Sequence, residues 1–242
     1  VSAPALATPA KAIRGSGRPA QYKLANGTRI PSVTTITGRF RNASALLAWA
    51  NREGLEGRTL NEARDDAAHT GHIVHQWIQD SIHQEPLTDF GFSGEETLQQ
   101  ARVALEAFHQ WAAEVRLQIL ATEIPIVSET LRLGGTLDAI GLVHGVRSLL
   151  DWKSGNGIYA EHLQQQAAYR QLLREQSPDL IPEQAVLIRL DKETGQPSAK
   201  IYDSDALDLA WEYFGLARQL YELDKDVEKL ARRGRKCLSK PA

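Results

Sequence analysis

The chain has 242 residues, a net charge of −2 and apolar and charged fractions of 42% and 24%, the profile of an ordinary soluble globular protein. Cys237 is its single cysteine, which excludes an internal disulfide and a thiolate metal cluster and fits a reducing, cytoplasmic setting. No apolar run approaches the roughly 20 residues of a membrane span and no secretory signal is apparent, so no membrane partner is expected.

Residues 1–20 are rich in Ala, Pro, Gly and Ser and read as a flexible basic arm. The chain starts with valine and has no methionine, so a processed or trimmed product is expected. Residues 1–52 carry eight Lys and Arg and no acid, and no acid follows Glu228. Either end is a candidate for phosphate contact, or for a solvated tail. Residues 21–242 read as one domain, helical over about 44–115, with sheet and helices over about 116–235.

Tyr22–Leu24 and Thr28–Ile30 flank Asn26-Gly27, a hairpin signal. Helices are predicted from Ser44 to about Gly54, from Thr59 to Ile82 with Ala67, Gly71, Val74, Trp77 and Ile78 near one face, and from about Ser93 through Trp111. A loop covers 84–94. Gln118–Val127 reads as a strand whose Pro125 implies an edge or a bulge. Two strands follow within 132–153. A helix spans Ala160–Arg174, and Pro178 and Pro182 end it. Ala185–Leu190 and Ala199–Tyr202 are strands about a Thr194-Gly195 turn, and Asp205 to about Arg232 closes the chain as a helix. The order implies an α/β (α+β) fold with a central mixed sheet flanked by helices.

The chemistry concentrates in 135–153. Gly135–Val143 and Val146–Lys153 are β-prone runs separated by His144-Gly145, the spacing of a two-residue hairpin turn. If Val143 pairs with Val146, Asp138 falls opposite Asp151, with Cβ atoms roughly 4.5–5.5 Å apart. Lys153, two residues on, points to the face of Asp151. Two acids and a lysine on one patch describe a site for a hard divalent cation such as Mg²⁺ or Mn²⁺. The plainer reading is a surface hairpin in which Asp151 and Lys153 simply pair.

His75 lies on the long helix four residues after Gly71, which leaves room for that face to approach the sheet. It is either a neutral nitrogen ligand or a core histidine. The spacing of His69, His72 and His75 lacks the i, i+4 pair of zinc proteases. Gln165 and Tyr169 share a helical face; they would hold a phosphate or base, or merely line an amphipathic helix. Trp49, Trp77 and Trp111 are candidates for base stacking or for the core.

In order along the chain, Gly71-x-x-x-His75, Gly135-Thr-x-Asp138, Asp151-x-Lys153 and Gln165-x-x-x-Tyr169 resemble the PD-(D/E)XK nuclease superfamily, specifically its RecB-type exonuclease branch, which includes the mitochondrial genome-maintenance exonuclease. Pro31–Ile36 and Leu47–Ala50 are similar to the N-terminal part of such enzymes. The resemblance implies a restriction-endonuclease-like core. It implies His75, Asp138, Asp151 and the carbonyl of Trp152 as metal ligands, Lys153 as the catalytic lysine, Gln165 and Tyr169 as substrate contacts, and Glu123 as a further acid. Leu137 stands where the family's name has proline. The four cysteines of iron–sulfur relatives are missing, so no iron–sulfur cluster is expected. The implied activity is a Mg²⁺- or Mn²⁺-dependent DNA exonuclease acting on single strands or ends, in bacterial or phage replication, recombination or repair. An endonuclease of the same superfamily, or an inactive nucleic-acid-binding module, is the alternative.

Overall fold

Within residues 21–40, 43–91 and 93–233, which the computed structural model describes, the chain forms seven strands, six α-helices and one 3-10 turn. The first elements are a small hairpin, β1 (Tyr22–Lys23) and β2 (Arg29–Ile30), closed by Gly27 at φ +81°. Helix α1 (Val33–Arg39) follows. Its Val-Thr-Thr-Ile-Thr run is β-branched and a poor helix former, and the sequence reading places no helix there. Two forces override propensity. Ser32 accepts a hydrogen bond from the Thr35 amide at 3.0 Å and caps the first turn, and Val33 and Ile36 are fully buried.

Helices α2 (Ala43–Leu55), α3 (Leu60–His83) and α4 (Glu95–Glu114) match the predicted helical region. Thr59 and Glu62 start α3 with a reciprocal capping box. Ala67 is exposed, whereas the periodicity puts it on the inner face. Trp77 and Trp111 are buried between α3, α4 and the sheet, and Trp49 is half-buried with its indole N–H donating to Glu53.

The main sheet runs in the order β3-β4-β5-β6-β7, with β3 (Gln118–Ser128), β4 (Leu133–Val143), β5 (Val146–Lys153), β6 (Gln184–Leu190) and β7 (Pro197–Tyr202). Only β5 and β6 are parallel, and α5 (Ala160–Gln176) connects them. The remaining pairs are antiparallel, which makes the sheet mixed. Pro125 sits on an edge strand, where its missing N–H costs no ladder bond. Helices α1, α5 and α6 (Ser204–Arg233) cover one face of the sheet, and α3 and α4 cover the other. Along β5 the side chains alternate between these layers, Leu149 toward α5 and Leu150 and Trp152 toward α3 and α4.

Candidate active site

The β4–β5 turn is formed by His144 at φ +49° and Gly145 at φ +82°, the double positive φ that a type I′ hairpin requires. Val143 pairs with Val146 as the spacing predicts, and the ladder continues to Ala139 and Leu150. There it stops. Asp138 and Asp151 lie one position past the last pair, so they are neighbours at the mouth of the hairpin rather than a paired couple inside it.

The reason is a break in pleating around Asp138. Leu137 and Ile140, three residues apart, both pack into the α5-side core, while Ala139 joins the α3/α4 side. A regular strand would place Leu137 and Ile140 on opposite faces. On the neighbouring strand, Thr122 pairs with Ala139 and Ile124 with Leu137, so Glu123 faces Asp138. Glu123 has φ +47°, a left-handed conformation that costs a non-glycine residue roughly 1–2 kcal/mol. The kink on both strands brings the two acids to one cleft. His75 Nδ1 reaches it from α3, 3.6 Å from Asp138 Oδ2. Ligand atoms of His75, Glu123 and Asp138 all lie within 4.8 Å of one another.

Gly71 permits that approach. A Cβ at this position would sit 3.4 Å from Ser154 Oγ, so α3 passes close to the end of β5 one turn before His75. The neighbouring cleft, about 340 Å³, is lined by Gly71, His72, His75, Gln76, Gln79 and Glu123. Gln76 and Gln79 do not figure among the sequence candidates. Their signal is their spacing from His72 and His75, which puts all four on one helical face.

Asp151 is 1% exposed and is held by Lys153, whose Nζ lies 2.9 Å from Oδ1 and 2.8 Å from Oδ2. Its oxygens are therefore turned to the lysine, and Asp151 stands beside the His75–Glu123–Asp138 group rather than within it. The backbone N–H of Trp152 donates to Asp138 Oδ2 at 3.4 Å, and the His75 and Trp152 rings pack with centroids 6.1 Å apart.

Burial raises the Asp138 carboxyl to about 7, with Lys153 pulling it down and Glu123 pushing it further up. Burial likewise raises Asp151 to about 6 against the opposing pull of Lys153. Burial lowers His75 to about 4, and Lys153 adds to that, so the imidazole is neutral at neutral pH and able to act as a ligand. Three acids face one ammonium group, and the cluster is short of positive charge. Carboxylate oxygens and a neutral imidazole suit a hard divalent cation, so the residues present fit the metal that the sequence motifs imply.

Gln165 and Tyr169 meet, the Gln165 amide donating to the phenol at 3.2 Å. Tyr169 is buried in the α5-side core, and burial pushes its phenol well above the usual range. Its ring lies against Gly135, where a Cβ would come 2.3 Å from Cε1. Packing beneath β4 is thus the visible role of Tyr169, and half-buried Gln165 is the more accessible of the two. Gln166 is buried, whereas Gln164 and Gln165 are half-buried. His69 bonds Ser93 Oγ at 2.8 Å, and His72 lies edge-on to Phe90. Arg39 is taken by Asp224 and Glu228 of α6. The arm of residues 1–20 and the basic residues Arg41, Arg235, Lys236 and Lys240 lie outside the described residues.

No curated protein matches the chain. A proposed exonuclease from Eubacterium rectale is similar in structure, with 15% identity over 73% of this chain and 77% of that one and a TM-score of 0.46. LHK-Exo in complex with dAMP has 16% identity over 67% and 83%, with a TM-score of 0.37. The alkaline exonuclease LHK-Exo from Laribacter hongkongensis gives 15% identity over the same shares and a TM-score of 0.33. These are distant likenesses of chain trace. The family model of the PD-(D/E)XK nuclease superfamily matches residues 43–239, a span that takes in both kinked strands, the Asp151–Lys153 pair and His75. The chain belongs to the PD-(D/E)XK nuclease superfamily.

Proposed function

We propose that this nuclease is a Mg²⁺- or Mn²⁺-dependent DNA exonuclease that hydrolyses phosphodiester bonds on single strands or at DNA ends, in replication, recombination or repair. The observation that carries the reading is the convergence of His75, Glu123 and Asp138 within 4.8 Å beside a buried Asp151–Lys153 pair at 2.8 Å. His75, Asp138, Asp151 and the Trp152 carbonyl are the assigned ligands, with Glu123 as an additional acid. A bound divalent ion supplies Lewis-acid polarisation of the phosphoryl oxygen and lowers the pKa of a water.

The chain's own residues do the rest. Asp151 fixes the Lys153 ammonium group at the mouth of the hairpin, where it orients the attacking water and offsets charge that develops on the phosphate. Asp138 is held by the Trp152 N–H, so its orientation is set before substrate arrives. His75 stays neutral and presents a lone pair without adding charge. Gln165, with Tyr169 behind it, is assigned to substrate contact. A cleft of about 340 Å³ sits at the small end of ligand pockets, roughly 300–1,000 Å³.

The test uses end-labelled single-stranded, duplex and circular DNA with Mg²⁺, Mn²⁺ or chelator. Linear strands should shorten from their ends with either metal, circles should stay intact, and chelator should stop the reaction. Linearised or fragmented circles would instead assign an endonuclease.

A further inference from the structure

Helix α6 carries two apolar stripes, and among the described residues the fold covers one. Leu207, Ala210, Phe214 and Ala217 are buried against the body of the protein. A second stripe, Tyr213, Leu216, Leu220, Leu223, Val227 and Leu230, is 51–67% exposed at every position. Leu209, 69% exposed, extends it by one step toward the helix start.

The spacing is strictly alternating fours and threes. Leucine occupies one heptad position at 209, 216, 223 and 230, and Tyr213, Leu220 and Val227 occupy the other. A 3.5-residue repeat sustained over three heptads is the seam of a helix pair, so the face fits another helix about as long, roughly 30 Å. An exposed leucine seam of this kind on an otherwise ordinary surface marks an interaction site.

We infer that the occupant is α6 of a second copy of this chain, running antiparallel about a two-fold axis. Antiparallel pairing stacks Leu220 on the partner's Leu223, Leu216 on the partner's Val227 and Tyr213 on the partner's Leu230, each twice by symmetry. The same register sets Glu212 beside the partner's Arg233, again twice, and Gln219 beside the partner's Asp226. A parallel pair would align Glu212 with Ala217, Gln219 with Asp224 and Asp226 with Ala231, and would form no ion pair. Charge along the helix therefore selects the antiparallel partner.

At roughly 60–120 Å² for a fully buried aliphatic side chain, the partly exposed seams together cover about 600–700 Å² of apolar area. Flanking groups bring the total toward the ~1,000 Å² of a weak specific interface, so the dimer should dissociate in the micromolar range. Because α6 lies on the sheet face opposite α3, the two clefts point away from the joint. Each would act on its own strand end, an arrangement unlike two centres meeting across one duplex.

Analytical ultracentrifugation of the whole chain across the micromolar range tests this. The mass should rise from 26.8 kDa to twice that value. Leu216→Glu with Leu223→Glu should raise the dissociation constant about 100-fold or more, while circular dichroism and nuclease rate stay unchanged because both side chains are already exposed. Glu212→Arg should weaken the dimer a few-fold, and adding Arg233→Glu should restore it. In a Cys237→Ser background, Gln219→Cys with Asp226→Cys should cross-link on oxidation, and Gln219→Cys alone should not. A chain that stays monomeric, a dimer indifferent to the double glutamate variant, or efficient cross-linking by Gln219→Cys alone would overturn the inference.

Discussion

The two ends of the β4–β5 hairpin obey different rules. Near the turn, Val143 pairs with Val146, side chains alternate between the layers, and both strands are closely packed. At the mouth, the ladder has ended, the pleat of β4 slips at Asp138, and Glu123 on β3 adopts a left-handed φ. Local preference is satisfied where the hairpin only has to fold. It is violated where three acids and a lysine are gathered, the pattern expected of a functional site that the rest of the fold holds in place.

The sharpest way to break this contrast is to remove a charge at the mouth. Asp151→Ala should cut the cleavage rate by at least about 10³-fold. The fold should persist, checked by circular dichroism, since the loss leaves an exposable ammonium group rather than a buried acid. A variant that still digests end-labelled DNA at the original rate would move the active site elsewhere. Lys153→Ala should lower the rate by about 10²–10³-fold with little change in DNA affinity measured in Ca²⁺. It also strips Asp151 of its partner, so the metal-free variant should melt earlier than the parent.

Stability against pH sharpens the comparison further. Asp138 rises from an ordinary value near 3.8 to about 7 in the folded chain, so folding favours its protonated form. Its contribution is most favourable below pH ~4 and is lost as pH climbs to about 7. In chelator, Asp138→Asn should equal the parent near pH 4 and exceed it by on the order of 4 kcal/mol at pH 8, read as the gap between denaturant midpoints. His75, lowered to about 4, acts in the opposite sense between pH 4 and 6.5 and is common to both proteins. No widening of the gap with pH would mean that Asp138 is not held in a costly charged state.

The smallest effect concerns the kink itself. Glu123→Gly and Glu123→Ala both delete the acid, but only glycine accepts φ +47° without strain. The glycine variant should be more stable than the alanine variant by about 0.5–1 kcal/mol, and both should bind Mn²⁺ more weakly than the parent. Equal stability would mean that the backbone relaxes once the acid is gone.

Much of this was readable along the chain, because it is local. The Asn26-Gly27 and His144-Gly145 turns, the helix start at Thr59, and the alternation of β5 are set by residues within a few positions of one another. So are the identities of Asp138, Asp151 and Lys153 and their placement on adjacent strands. Short-range sterics and side-chain period carry that information, and it survives without knowledge of the rest of the molecule.

What tertiary structure alone decided depends on contacts between distant segments. Helix α1 forms from a β-branched run because α5 and α6 bury Val33 and Ile36. Ala67 is exposed although it continues the helical face through Gly71, since only the turn at Gly71 meets the end of β5. Tyr169 is drawn into the core by the gap at Gly135. Asp151 turns to Lys153, while Glu123 and Asp138 turn to His75 on a helix more than forty residues away in sequence. Sequence period places side chains on faces, but where a strand abandons its period is set by what packs against it, and that is a property of the assembled fold.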